Sequence, residues 1–373
     1  MTNGRSPHRA WVEVDHGAIR HNLAAIRQMA PEVEVIGVVK ANAYGHGDVA
    51  VARTLLTAGV ERLAVATVGE GLRLRDAGIG APVLVLWGIG RDEAAVVADA
   101  ELEPIVYDER SLEVLESAAG DRRIGVHLKI DTGLGRQGAE PEIALTLAGR
   151  IERSPRLHLA GTMSHLAAPG EDDAYTEVQL MRLAQTLDAM RSSRIDPGLV
   201  HVSATGGILA GRVPFAGAVR PGIALYGLLP GWASDHEGLI PALALKALPV
   251  RIFDLGAGEA IGYGLRFRAR EATRIATLGI GYGDGWPRAH ANNGWALVRG
   301  QRVPIVGAVS MDGLTVDVGR VPGVTYDDEF VLIGEQGDGR ITADEVAEER
   351  RTINYEVTTA LRERLPRLHL GAD

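Results

Sequence analysis

Two lysines, two arginines and a histidine stand where short apolar runs break into polar residues. Lys40 follows "VEVIGVV" and leads into Tyr44, while Lys129 closes "IGVHLK" ahead of "DTGLGRQG", which carries Asp131 and Arg136. Ser164 and His165 follow "LHLAGTM", Ser203 and Thr205 end "LVHVSAT", and Arg220 precedes Pro221 and Gly222. Singly, each has an ordinary structural reading. A lysine at a strand end extends its ammonium to water, and a lone histidine is more often a hydrogen-bonded structural group than a catalyst. Together they describe a cationic pocket with few acids, whose natural guest is an anion such as a phosphate. "SATGG" and "RPGI" add a hydroxyl and backbone N–H groups suited to one. A lysine facing a phosphate-bearing ligand could be its counter-ion, or could form a Schiff base with an aldehyde, as pyridoxal phosphate sites require. Spacing alone leaves both open.

Residues so far apart in the chain converge only if a fold gathers strand ends. Candidate strands run over 33–40, 62–67, 82–88, 102–107, 124–130, 157–164, 199–204 and 218–227, with segments of helical apolar spacing between them. Such a β-then-α rhythm predicts an α/β fold, a (β/α)8 TIM-like barrel rather than a doubly wound sheet, with its chemistry at the C-terminal strand ends. After "GLLPGWASDHEG" (227–238) the pattern changes to β-runs broken by Gly and Pro over 243–335. Helical spacing returns at "TADEVAEERRTINYEVTTALRERLP", with Thr342 and Glu345 as a capping box. The expected organisation is a flexible tail over 1–9, a barrel over 10–238, and a mostly β C-terminal domain over 239–373. The run 10–15 is an orphan strand that could pair with either domain.

Composition narrows the class. With 46% hydrophobic residues in a chain of 373, two domain cores can be filled. The formal net charge of −9, without any Lys/Arg block, argues against a nucleic-acid partner. The absence of cysteine excludes disulfides, thiolate nucleophiles and Cys-based metal sites, and no metal is expected. No apolar run approaches a membrane span and no secretory h-region is visible, so a cytoplasmic protein with no membrane partner is expected.

Further blocks occur in order: "VVKANAYGHG", "VATVGEGLRLRDAGI", "KIDTGLGRQG", "SHLA", "RPGIALYG", "IGYGLRF", "IGYGDGWPR", "VSMDGLTVD" and "INYEV". With them the chain, from "AWVEVD" to "LPRL", resembles the alanine racemases, which join a pyridoxal-phosphate barrel to a C-terminal β domain. The resemblance implies that Lys40 carries pyridoxal 5'-phosphate as an imine and acts as one catalytic base. It implies that Tyr44, Thr205, Gly222, Ile223 and Tyr355 hold the phosphate, and that Arg220 faces the pyridine nitrogen with His165 behind it. Lys129 matches a lysine that is often carbamylated in the family and positions Arg136, which contacts the cofactor's phenolic oxygen. Tyr263 is implied as the second base, brought across a head-to-tail homodimer interface into the partner's barrel. Met311 and Asp312 come from the same side, and Tyr282 narrows the entrance. The implied reaction interconverts L-alanine and D-alanine by two-base proton transfer at Cα, supplying D-alanine for peptidoglycan.

Three departures from the family pattern involve four positions. Ala204 and Thr205 stand where Asn-Ser is common, so the work of the missing amide would pass to Ser203 or be lost. Ala308 replaces a frequent Arg, and Gly313 a frequent Gln. These put substrate range in question more than reaction type. A racemase of serine or of a broader amino-acid set stays close beside the first reading. A barrel-based amino-acid decarboxylase fits Tyr263 and Arg220 poorly, and a bare cofactor-binding protein leaves the β domain unexplained.

Overall fold

A computed structural model describes residues 9–215, 217–233 and 238–372, so the expected flexible tail, Arg9 apart, lies outside the described residues. The chain divides into two units. One comprises 19–43 and 48–239; the other combines the segment up to Ala18, Tyr44–Gly47 and Ile240 onward.

The first strand, β1 (Ala10–Asp15), is followed by β2 (Glu34–Val38), β3 (Arg62–Val65), β4 (Val83–Val85), β5 (Leu102–Val106), β6 (Ile124–Lys129), β7 (Leu157–Met163), β8 (Leu199–Ala204) and β9 (Ala218–Arg220). Strands β2 to β9 pair in parallel and close into a barrel. Helices return the chain between them, such as Asp48–Thr57, Glu109–Ala118 and Asp173–Ser192. Parallel strands packed on both faces need apolar residues at nearly every position, which is why these runs read as continuous rather than alternating.

Most of the strands stop earlier than the apolar runs suggest, although β8 ends at Ala204 as expected. In particular β2 ends at Val38, two residues before Lys40, so Lys40 does not finish a strand. Instead it opens a left-handed turn in which Ala41, Asn42, Ala43 and Tyr44 all have φ between 52 and 54°. An L-residue in that region costs roughly 1–2 kcal/mol, so neighbouring groups must hold the turn. Glu70 does so by accepting the Ala41 N–H at 2.7 Å, and Asn42 Oδ1 accepts the Asp48 N–H at 3.0 Å.

The other unit carries β10 (Leu243–Ala247), β11 (Pro249–Leu255), β12 (Ala260–Ile261), β13 (Phe267–Arg268), β14 (Thr273–Leu278), β15 (Trp295–Val298), β16 (Gln301–Val306), β17 (Leu314–Asp317), β18 (Phe330–Gln336), β19 (Gly339–Ile341) and β20 (Arg367–Leu370). Its main sheet runs β11-β14-β17-β16-β15-β18-β10-β1-β20. The orphan run 10–15 is thus β1, antiparallel to β10 and parallel to β20. The two-stranded β12–β13 excursion rests on a small core of Leu255, Ala269, Ile275 and Val306 through Ile261 and Phe267. Thr342 caps the helix Ala343–Arg350 by accepting the Glu345 N–H at 3.0 Å. Only that half of the expected box serves the helix, because the Glu345 carboxylate binds Arg302. No helix among the described residues is long and apolar enough to cross a membrane.

Candidate active site

Five cationic or basic side chains of the barrel unit lie within electrostatic reach of one another. Lys40 is lowered from the usual lysine range by burial and then by Arg136 and Arg220, with Glu70 acting in the opposite sense. Burial, followed by Arg136, Arg220 and Lys40, brings Lys129 to about 8. His165 falls to about 3 through burial and the same four neighbours, and is therefore neutral at physiological pH. The nearby acids Glu70 and Asp131 oppose the shifts of Lys40 and Lys129 respectively, and both also hold backbone. Asp131 accepts the N–H groups of Gly133 and Gly135 and so shapes the loop carrying Arg136 and Gln137. Glu70 accepts three, from Ala41, Ala66 and Thr67. Lys129 donates to Gln137 Oε1 at 2.8 Å, and the Arg136 guanidinium sits 5.8 Å from the Trp87 ring centre.

Arg220, at the end of β9, is fully enclosed. It donates to the carbonyls of Ser164, His201 and Val202, to His201 Nδ1 at 2.7 Å and to His165 Nδ1 at 3.2 Å. Burial lowers it to about 9, still a cation at neutral pH. A guanidinium only donates, so both histidines must present bare Nδ1 atoms to it. His201 is held well below its ordinary value by burial and by Arg220. Its Nε2 hydrogen then goes to His127 Nδ1 at 2.8 Å, and His127 Nε2 donates to Glu103 at 3.2 Å. Arg62 completes the chain on Glu103 at 2.9 Å. His127 on β6 and His201 on β8 are not on neighbouring strands, so their bond crosses the barrel interior. Gly161 on the intervening β7 makes room, since a Cβ there would come within 2.5 Å of the His127 ring.

Thr205 lies beyond β8, and its Oγ1 accepts the N–H groups of Gly222 at 3.2 Å and Ala224 at 3.3 Å. It thereby fixes the turn that contains Ile223. Ser203 commits its hydroxyl hydrogen to the Arg212 carbonyl and packs against Gly207. That hydrogen is not offered in place of the amide missing at Ala204.

In the other unit Tyr44 and Tyr355 lie with ring centres 6.2 Å apart. Burial raises both phenols, Tyr355 to about 12, and Tyr44 further still with help from Tyr355. Both remain neutral O–H donors at physiological pH. Tyr263 is 75% exposed at the tip of the β12–β13 excursion, beside Leu265 at 61%. Met311, half exposed, and Tyr282 sit on two loops joined by bonds from Tyr282 N to the Ser310 carbonyl and from Gly283 N to that of Met311. Asp312 is paired with Arg364 at 2.7 Å. Ala308 is buried, whereas a Cβ at Gly313 would meet only ordinary contacts, the nearest being the Leu278 carbonyl at 3.4 Å.

Sequence reasoning missed Glu70, Gln137, His127, Glu103 and His201. The two histidines carried a signal. Each lies two residues before a polar strand-end residue, Lys129 or Ser203, and so shares its face of the strand.

These donors fit pyridoxal phosphate. Those of the barrel unit comprise a lysine amine with lowered proton affinity, N–H groups held in a turn by Thr205, and a guanidinium anchored through both of its Nη groups. Comparison with known proteins identifies the family. Residues 14–230 match the family model for the alanine racemase N-terminal domain, and residues 242–369 that for its C-terminal domain. An alanine racemase of Halothermothrix orenii is 37% identical over 370 residues, covering 98% of each chain. One of Sorangium cellulosum is 39% identical, covering 97% of this chain and 99% of its own. Among solved structures, the Bacillus anthracis alanine racemase with bound L-Ala-P aligns with a TM-score of 0.92 at 36% identity, over 98% of this chain and 96% of that one. The chain belongs to the alanine racemase family.

Proposed function

We propose that the protein interconverts L-alanine and D-alanine with pyridoxal 5'-phosphate as resident cofactor, one of Lys40 and Tyr263 of a second protomer removing a proton from one face of Cα while the other delivers a proton on the opposite face. The observation that carries this reading is the placement of Lys40. Its amine opens a turn clamped by Glu70 and stands where burial and two guanidinium groups favour the neutral, proton-accepting form.

Lys40 would carry the cofactor; Tyr44, Tyr355, Thr205, Gly222 and Ile223 would serve its phosphate, and Arg220 its ring nitrogen. When bound, the cofactor acidifies the α-hydrogen of the amino acid joined to it. The chain's own groups do the rest. Lys40 takes or returns a proton at Cα on its face. Tyr263 does the same from the opposite face, so inversion needs no rotation of the substrate. Arg220 is bonded to two histidines and three carbonyls and keeps its own protons, so it would hold the cofactor's ring nitrogen without protonating it. That role would favour prompt return of a proton to Cα over transamination.

Lys129 at about 8 leaves about a tenth of its amine neutral at pH 7, enough to add carbon dioxide with loss of a proton. We assign Arg136 to the substrate side, with Lys129, carbamylated or bonded to Gln137, as its support. Met311, Asp312 and Tyr282 would frame the entrance in a homodimer. The exposure of Tyr263 and Met311 in a single protomer supports that arrangement. A D-alanine product suits a role in peptidoglycan supply.

The test is L-alanine in deuterated water. Loss of optical rotation with deuterium at Cα is the expected result. Release of carbon dioxide would indicate a decarboxylase, and neither change a binding protein. Serine run beside alanine measures the range that Gly313 permits.

A further inference from the structure

Tyr263 stands on lightly held backbone, whose tip is closed by one turn bond from Leu265 N to the Gly262 carbonyl at 3.2 Å. Gly262, Gly264 and Leu265 have φ of 73, 72 and 49°, and the flanking strands β12 and β13 share only two residue pairs. The tyrosine side chain is mostly in solvent, so its own packing does not locate it. Ile261 and Phe267 anchor the two legs of the excursion on the small core. A third anchor comes from Asn292, well beyond Tyr263 in the sequence. Its Nδ2 donates to the Arg266 carbonyl at 3.0 Å, its Oδ1 accepts the Gly307 N–H at 2.6 Å, and its own N–H donates to the Gly307 carbonyl at 3.1 Å.

One amide thus ties the leg that follows Tyr263 to the strand end that leads, through Ala308, to Met311 and Asp312. The same contact region joins the leg that precedes Tyr263, since a Cβ on Gly307 would lie 3.6 Å from the Ile261 carbonyl and one on Gly262 3.5 Å from the Ala308 nitrogen. Asn292 itself is left-handed, with φ of 53°. A residue needed only for that backbone shape could be glycine. Both ends of the Asn292 amide are instead engaged, each with a different one of the two segments.

We propose that Asn292 is a positioning residue for Tyr263, setting the direction from which the phenol approaches the substrate and its register against the Met311 loop. This rests on the reading of Tyr263 as the second base.

Asn292→Gly keeps the backbone conformation and removes both side-chain bonds. Asn292→Asp keeps the acceptor and replaces the donor that faces the Arg266 carbonyl. In the holoenzyme, with alanine in deuterated water, both variants should invert substrate more slowly, Asn292→Gly by about 100-fold, the scale of a misplacement near 1 Å. Deuterium exchange with retention of configuration in the enantiomer whose α-hydrogen faces Lys40, which that lysine performs alone, should stay within about threefold, giving a kcat loss with little change in KM. In protein without added cofactor, amide hydrogen exchange over residues 260–268 should quicken by about tenfold while barrel peptides keep their rates.

Tyr263→Phe runs in parallel. If it abolishes inversion while both Asn292 variants invert at the parental rate, the positioning role is wrong and the base assignment stands. If Tyr263→Phe still inverts, the base assignment falls and takes the proposal with it. Equal loss of inversion and exchange in the Asn292 variants also overturns the proposal, because it signals general damage. Should Asn292→Gly not fold, Asn292→Asp decides by the same criteria.

Discussion

The enclosed guanidinium of Arg220 is the group on which reaction choice turns in the proposed function. Lysine in its place retains a charge but loses the planar fork that reaches two histidines and three carbonyls, and a buried ammonium gives up its proton far more readily. Arg220→Lys is expected to slow racemisation by about 10- to 100-fold and to raise the share of turnovers that end in the 2-oxo acid, measured with a coupled dehydrogenase. An unchanged partition would remove Arg220 from this role. Lys129 gives a pH test. Its folded-state value of about 8 lies below the ordinary 10.5, so between those values the unfolded chain binds more protons than the native one. The penalty is fully present below about 8, and stability rises with pH through the window. Urea unfolding of the parent should therefore gain on Lys129→Gln as pH rises, and a constant difference would refute the shift. The sequence exposed Lys40, Lys129, His165 and Arg220 because each stands where an apolar run gives way to polar residues, and Arg136 because it lies in the loop that follows one. It hid His127, His201 and Glu103 inside such runs, where one polar residue among valines and leucines looks incidental. Only the barrel's closure brings them into line.

At the scale of elements, the barrel was legible because parallel strands buried on both faces must be written in β-branched and aliphatic residues. Their ends were not, because leaving the ladder depends on neighbours. The turn after β2 shows this best. "KANAY" carries no Gly and would pass for an ordinary loop or helix start, yet four consecutive residues are left-handed. What makes that possible is Glu70, in a different helix, whose carboxylate collects the N–H groups of Ala41, Ala66 and Thr67. Two of these belong to a local cap with Thr67, and the third reaches the residue after Lys40. Glu70→Ala is expected to cost about 1–3 kcal/mol in denaturant unfolding. It should also lower kcat well beyond the effect of Thr67→Ala, which disturbs the cap but leaves the Ala41 bond in place. Matching losses of activity in the two variants would show that Glu70 serves the helix alone.

At the scale of the whole molecule, the proposed reaction needs two chains. A single protomer leaves Tyr263, Leu265 and Met311 more than half exposed in its β unit. Soluble proteins tolerate scattered apolar exposure, but such residues flanking a proposed base are more economically explained by a second copy that covers them. In a twofold dimer each site would then take Lys40 from one protomer and Tyr263 from its partner. Homodimers of Lys40→Ala lack the amine at both sites, and homodimers of Tyr263→Phe lack the phenol at both, so each alone is expected to be inactive in racemisation. Unfolded together in equal amounts and refolded, half of the dimers are mixed. In a mixed dimer one site carries both substitutions, and the other carries neither. Activity should therefore return to about one quarter of that of the unsubstituted protein treated in the same way. It should also fall on dilution as mixed dimers dissociate. If both catalytic groups came from the same chain, no mixture could restore a complete site, and the refolded pair would be as inactive as its parents.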